Sequence, residues 1–174
     1  MVDGAGVDPA RLPLEQADVM AHYDRVLVAS KWGERLVGRS LEGHPDVDWM
    51  PHPINRSVFK PVDRLYARSG WGIGERERVV GCVMANQARK YWPVVMEAVG
   101  MLEGVKLWMH TDRMQGYWNL DALIVEYGMG GRVISEGRAL TDRELAMRYS
   151  ACDATVLGSG GEGLGYPEAE SLRC

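Results

Sequence analysis

A parallel α/β sheet with helices on both faces is the fold class this sequence predicts, on three observations. Short apolar runs alternate with helical patterns from residue 14 onward, as repeated βαβ units require. The segment ATVLGSGG reads as a short buried strand running into a flexible loop, followed by Pro167 at the opening of a helix, where a missing N–H costs nothing. The stretch from Pro51 to Pro61, with Pro53 between, allows neither a regular helix nor a central strand and reads as a connector.

The elements follow in order along the chain. Residues 14–22 carry the first helical pattern, RVLVA (25–29) is the first apolar strand run, and residues 31–41 return to helical spacing. VDWM (47–50) is a second strand ahead of the connector. Beyond it RVVGCVM (78–84) and VKLWMH (105–110) are the two longest strand runs, separated by a helix over 93–103. A helix over 118–127 precedes the short strand RVIS (132–135). The helix over 141–150 begins TDRE, a capping-box pattern with Thr141 as cap and Glu144 three residues on. ATVL (154–157) and the helix PEAESLRC complete the series.

Composition bounds the function. With 174 residues, 46% hydrophobic and 25% charged, the chain has ordinary globular composition and is long enough for a well-buried domain. A net charge of −4 gives no general pull toward nucleic acid or an anionic membrane, so any phosphate binding must be local. Cys82, Cys152 and Cys174 are odd in number and lack C-x-x-C spacing, which argues for a reducing compartment and against structural zinc. No apolar run reaches the length of a membrane span, and MVDGAGVDPARLP lacks a basic-then-apolar leader pattern; a cytoplasmic location is the expectation.

The chemistry concentrates in EGLGYPEAE, where Glu162 lies in the glycine-rich loop and Glu170 about one turn into the following helix. The first amides of a helix lack intrahelical partners and its dipole adds roughly half a positive charge, so the turn favours an anion. Two carboxylates beside a phosphate repel it unless they accept hydrogen bonds from flanking hydroxyls, which describes a sugar nucleotide. In VVGCVMANQARKYWP, Arg89 and Lys90 follow a strand and fall at the same carboxyl edge, where ligands bind in open parallel sheets. Lys90 can neutralise a diphosphate as a point charge and Arg89 can add fork-shaped donors.

EGLGYPEAE resembles the E-G-F-G-x-P-x-x-E signature of the retaining GT-B glycosyltransferases known as family four or group one. Glu162, Gly163, Gly165, Pro167 and Glu170 match, with Leu164 at the usual phenylalanine. The resemblance implies a partial GT-B architecture of Rossmann-like domains, in which Glu162 contacts the donor sugar, Glu170 the ribose, and Gly163, Leu164 and Gly165 line the diphosphate. Lys90 and Glu162 then take the catalytic roles. Ala85 stands where the family's clamp has arginine, so Arg89, or Asn86 and Gln87 as neutral donors, would compensate. Pro51, His52, Phe59 and Pro61 match the family's interdomain stretch, with Pro53 and Asn55 as departures. That divides the chain into 1–52, the end of an acceptor-side domain; 53–61, the connector; and 62–174, an incomplete nucleotide-sugar-binding domain.

The implied function is transfer of a sugar from a UDP- or GDP-sugar to an acceptor hydroxyl of unknown type, with retention and with neither metal nor cofactor. Each GT-B domain needs on the order of 100–200 residues, so the resemblance further implies a fragment, inactive alone. Two rival readings are a dinucleotide-binding oxidoreductase, from Gly158, Gly160 and Gly163 in G-x-G-x-x-G spacing, and a non-catalytic donor-binding remnant. Asp46-Val47-Asp48 spells a metal-binding D-x-D but precedes the connector, far in sequence from both phosphate loops. His22, His44, His52 and His110 have no ligand spacing; His110 alone ends a strand at the ligand edge. Tyr117 and Trp118 read as a helix-start anchor rather than a base-stacking pair.

Overall fold

The computed structural model describes residues 11–42 and 46–174, so His44 and the first ten residues of the leader reading lie outside the described residues. The chain divides into two compact units, Met1–Pro53 and Ile54–Cys174.

In the first unit the order is α1 (Leu14–Ala21), β1 (Val26–Val28), α2 (Lys31–Ser40) and β2 (Val47–Trp49). The two strands pair in parallel, Val26 opposite Val47, as a helical crossover demands. Ser30 caps α2 by accepting the Gly33 amide at 3.0 Å. Val26, Val37 and Leu41 form a small core with Leu12, Ala17, Met20, Val28 and Val47 around it.

The second unit runs α3 (Arg64–Ser69), β3 (Arg78–Val83), α4 (Trp92–Gly100), β4 (Val105–His110), α5 (Leu120–Glu126), β5 (Val133–Ile134), α6 (Asp142–Ala151), β6 (Ala154–Thr155) and α7 (Tyr166–Ser171). Its four strands are parallel in the order β5-β4-β3-β6, and β3 and β4 match along their length from Arg78 opposite Val105 to Val83 opposite His110. Alternation along these two strands feeds two cores. Cys82, Leu107 and Met109 pack with Trp92, Val95, Met96 and Val99 of α4 and Leu120 of α5. Val79 and Trp108 face the other way, onto Phe59, Ile73, and Ala146 and Tyr149 of α6. Helices therefore cover both faces of a parallel sheet, the predicted fold class.

Four elements differ from expectation. The run 154–157 is not a buried strand: only Ala154 and Thr155 pair, they are exposed, and β6 is the sheet edge. The helix expected over 118–127 starts at Leu120, because Asn119 caps it by accepting the Ala122 amide. The helix expected over 93–103 is shifted to Trp92–Gly100. The capping box of α6 forms as read, Thr141 and Glu144 exchanging side-chain and backbone hydrogen bonds. Helix α3 was not expected at all. Asp63 caps it, and Arg68, 1% exposed, anchors it by donating to the carbonyls of Gly74, Glu75, Glu77 and Ala151 and to Asp153.

The proline-rich stretch holds no helix or strand. Asn55 accepts the Ser57 amide and hydroxyl in a local turn, which presents Phe59 to the core of the second unit at 6.5 Å from the Tyr149 ring. Among the described residues no helix is long and apolar enough to cross a membrane.

Candidate functional site

Two loops leave adjacent parallel strands at their carboxyl ends, 84–91 after β3 and 156–165 after β6, and the backbone laces them together. The Tyr91 amide donates to Gly158 C=O at 2.7 Å, the Gly160 amide donates to Arg89 C=O at 2.9 Å, and Lys90 and Ser159 form an antiparallel bridge between them. Glycine is what permits this approach. A Cβ on Gly158 would lie 2.7 Å from Val95 Cγ2 and 3.1 Å from the Tyr91 carbonyl oxygen, and one on Gly160 would lie 2.7 Å from the Tyr91 hydroxyl. Two glycines of the apparent dinucleotide fingerprint thus make room for Tyr91.

The lacing brings Lys90, Arg89 and Glu162 into one cluster. Lys90, with 6% of its side chain exposed, is ion-paired through Nζ to Glu162 Oε1, and Arg89 Nη1 reaches the same oxygen at 2.9 Å and Gly161 C=O at 2.7 Å. Trp118 Nε1 donates to Lys90 C=O at 2.7 Å, so the indole pins the lysine backbone while Tyr117, packed edge-on against it at 5.0 Å, is 65% exposed. Trp118 therefore anchors the Lys90 loop rather than the helix start, which Asn119 caps, and Tyr117 anchors neither. Burial, and secondly the Arg89 charge, push the Lys90 ammonium below its ordinary pKa.

Glu168 is a residue the sequence reading missed. It lines a crevice with Gly81, Val83, Tyr149 and Pro167, its charge acts on Lys90, and its Oε2 would stand 2.6 Å from a Cβ at Gly165. Its only sequence signal was its place three residues after Gly165, in the first turn of α7.

Gly165 has φ +77°, a left-handed conformation that glycine supplies, and it turns the loop into α7 with Pro167 in the first turn. Space around Gly163 is open, and Leu164 is half-buried. Glu170 lies within α7, half-buried, and accepts a hydrogen bond from the Tyr149 hydroxyl at 3.2 Å. Burial holds its carboxyl above the usual range and, with the Glu170 charge second, drives the Tyr149 phenol up. The two signature acids therefore have different partners, cations for Glu162 and a phenol for Glu170.

Asn86 is a correction. It is 5% exposed, its amide donates to the carbonyls of Arg113, Met114 and Trp118, and its Oδ1 accepts the Trp118 amide at 2.9 Å. Its side chain is committed to folding the 113–118 loop and has no donor left for a ligand. Gly116 exists to accommodate it, since a Cβ there would stand 2.7 Å from Asn86 Cγ. The Asn86 backbone amide in turn binds Asp112 at 2.7 Å, and this bond, foremost, depresses the Asp112 carboxyl.

These contacts shape a cleft of about 570 Å³ over the carboxyl ends of β3, β4 and β5, lined by residues 83–85, 110–114, Ser135 and 137–139. His110 sits in its wall, stacked on Trp108 at 6.1 Å, and burial lowers its pKa. Asp48 of the D-x-D tripeptide belongs to the first unit, on β2, and pairs with Arg25 at 3.4 Å.

Comparison with known proteins returned no matching family model. D-inositol 3-phosphate glycosyltransferases of Mycobacterium tuberculosis and Mycobacterium bovis are 28% identical over 180 residues, which takes in all of this chain but 37% of the relatives' length. Among solved structures, sucrose-phosphate synthase from Thermosynechococcus elongatus superposes with a TM-score of 0.80 at 23% identity, covering 91% of this chain and 41% of that one. The Anabaena protein HepE, solved with UDP and glucose, gives 0.75 at 15% identity over 94% of this chain and 47% of its own. The C-terminal domain of a group 1 glycosyltransferase from Francisella tularensis gives 0.59 at 19% identity, covering 70% and 66%.

Proposed function

We propose that this chain, which has the fold of the GT-B structures it superposes on, is a relative of the group 1 glycosyltransferases and that its second unit holds a nucleotide-sugar donor whose glycosyl group passes to an acceptor hydroxyl with retention. The observation that carries the reading is the convergence of Lys90, Arg89 and Glu162 at the carboxyl ends of two adjacent parallel strands. In this reading the diphosphate lies against Lys90, Arg89 and the Gly163–Gly165 backbone, and the base occupies the cleft walled by His110. Glu170 accepts from the ribose and Glu162 from the sugar. Negative charge grows on the diphosphate as the glycosidic bond breaks, and two preoriented cations stabilise it there, so the reading calls for no metal.

The base is uracil or guanine; the complexes of HepE with UDP and UDP-glucose favour uracil. The test is calorimetric titration of the chain with UDP-glucose, GDP-mannose and NADH. Saturable binding of one sugar nucleotide, lost on adding its free nucleoside diphosphate, is the expected result. Binding of NADH alone would overturn the reading in favour of an oxidoreductase.

A further inference from the structure

We propose that Glu162 is a specificity residue, a competitor that pairs with both cations of the site and yields them to a phosphate ester whose hydroxyls receive the carboxylate in exchange. The inference rests on the donor-site reading above and deepens it.

A lysine with 6% of its side chain exposed needs a counter-ion, because a buried ammonium without one is strongly disfavoured. Glu162 is that counter-ion, and the same carboxylate oxygen also takes Arg89 at 2.9 Å. Both cations of the anion edge are thus occupied by one acid, with Glu168 adding a second negative charge near Lys90. Arg89, Lys90, Glu162 and Glu168 sum to zero charge.

A diphosphate arriving at these donors brings two or more negative charges to the place the carboxylate holds, and like charges at contact distance do not share a cation pair stably. Glu162 has somewhere to go. Gly161 and Gly163 flank it, and around each the space a Cβ would enter is open. Once displaced, the carboxylate gives up two cations for water, and ligand hydroxyls held beside it offset that loss with hydrogen bonds to a charged acceptor. Bare pyrophosphate supplies none. A nucleoside diphosphate supplies only those of its ribose, which the reading above places at Glu170, and a sugar nucleotide adds those of a hexose beside the phosphate, within reach of Glu162. The competitor therefore suppresses binding of phosphate alone most and binding of the complete donor least, which also favours departure of the nucleoside diphosphate after transfer.

The experiment titrates the chain and its Glu162→Gln, Glu162→Asp and Lys90→Ala variants with pyrophosphate, UDP and UDP-glucose at fixed ionic strength, with circular dichroism melts to establish that each is folded. Glutamine retains the shape and removes the charge, so Glu162→Gln should bind pyrophosphate about two- to fivefold more tightly, the effect of one partly screened charge pair. Its preference for UDP-glucose over pyrophosphate should fall by about tenfold or more, since the hexose loses its charged acceptor. Glu162→Asp, which retains the charge at shorter reach, should lie between and serves if the glutamine variant does not fold. Unchanged or weaker pyrophosphate binding in Glu162→Gln overturns the competitor role. If UDP-glucose still binds and Lys90→Ala weakens it, that failure leaves the donor-site reading standing; if none of the ligands binds, or Lys90→Ala has no effect, both fall.

Discussion

Lys90 and Glu170 each carry a charge in surroundings that disfavour it, and in neither case does folding benefit. Burial lowers the pKa of the lysine and raises that of the glutamate. For Lys90 the compensation is Glu162 and, once a donor binds, its phosphate: removing a charged phosphate donor costs about 1.5–3 kcal/mol, so Lys90→Ala should weaken UDP binding by about 10- to 100-fold in calorimetry. Uridine, which has no phosphate, should bind the variant and the parent alike; equal loss of both would show that Lys90 shapes the site rather than contacting phosphate. For Glu170 the sign is that of an acid with a raised folded-state pKa. Its contribution to stability is fully present below the ordinary carboxylate range and is lost as pH rises through the raised value. Glu170→Gln should therefore melt at or above the parent at pH 7, with the gain shrinking toward pH 4, while its affinities for uridine and UDP fall together because the ribose is common to both. A variant that melts lower at pH 7 and binds normally would make Glu170 a structural partner of Tyr149 and nothing more.

Among the elements, the glycine loop depends on close packing rather than on flexibility. Gly158 faces Val95 and the Tyr91 backbone, neither of which can move without disturbing α4, whereas Gly160 faces the end of a Tyr91 ring that is 46% exposed. Gly158→Ala should cost about 1–3 kcal/mol in urea denaturation, the range of overpacking, and should separate the two laced loops enough to weaken UDP binding. Gly160→Ala should cost less, because the ring can swing aside; the reverse order would refute this account of the loop.

This also marks what was legible. Motif spacing brought Glu162 and Lys90 to one sheet edge, where they pair, because strand and loop signals are local, and the TDRE cap announced α6 for the same reason. Glycine at 158 and 160 reads identically whether it cradles phosphate or clears a tyrosine, so the dinucleotide fingerprint was ambiguous by nature. Asn86 looked like an available donor, since its partners Arg113, Met114 and Trp118 lie 27 to 32 residues away. Helix α3 escaped because six residues carry little periodicity and its anchor, Arg68, acts through carbonyls up to 83 residues distant. The burial expected of 154–157 failed because strand order, which sets β6 at the edge, is a property of the assembled sheet.

At the scale of the whole molecule, each of the two units has its own core, one built from residues 12–47 and the other two, on either face of the larger sheet, from residues 54–174. Every residue assigned to the donor lies in the second unit: Lys90, Arg89, Glu162, the Gly163–Gly165 backbone, Glu170 and the His110 cleft. The unit should therefore fold and bind without the first, provided the cut respects the core. Phe59 is 3% exposed and packs on Tyr149, while Ile54 and Val58 lie against the same cluster, so the proline-rich stretch after Pro53 contributes to this core. A piece spanning residues 54–174 should unfold in one cooperative transition and bind UDP within about threefold of the 174-residue chain, a difference below 1 kcal/mol. A piece beginning at residue 62 forfeits Phe59 and should lose roughly 3–5 kcal/mol of stability, as a buried phenylalanine deletion does. Urea denaturation and UDP calorimetry on the two pieces decide the matter. Loss of UDP binding from a folded 54–174 piece would mean that the first unit takes part in holding the donor.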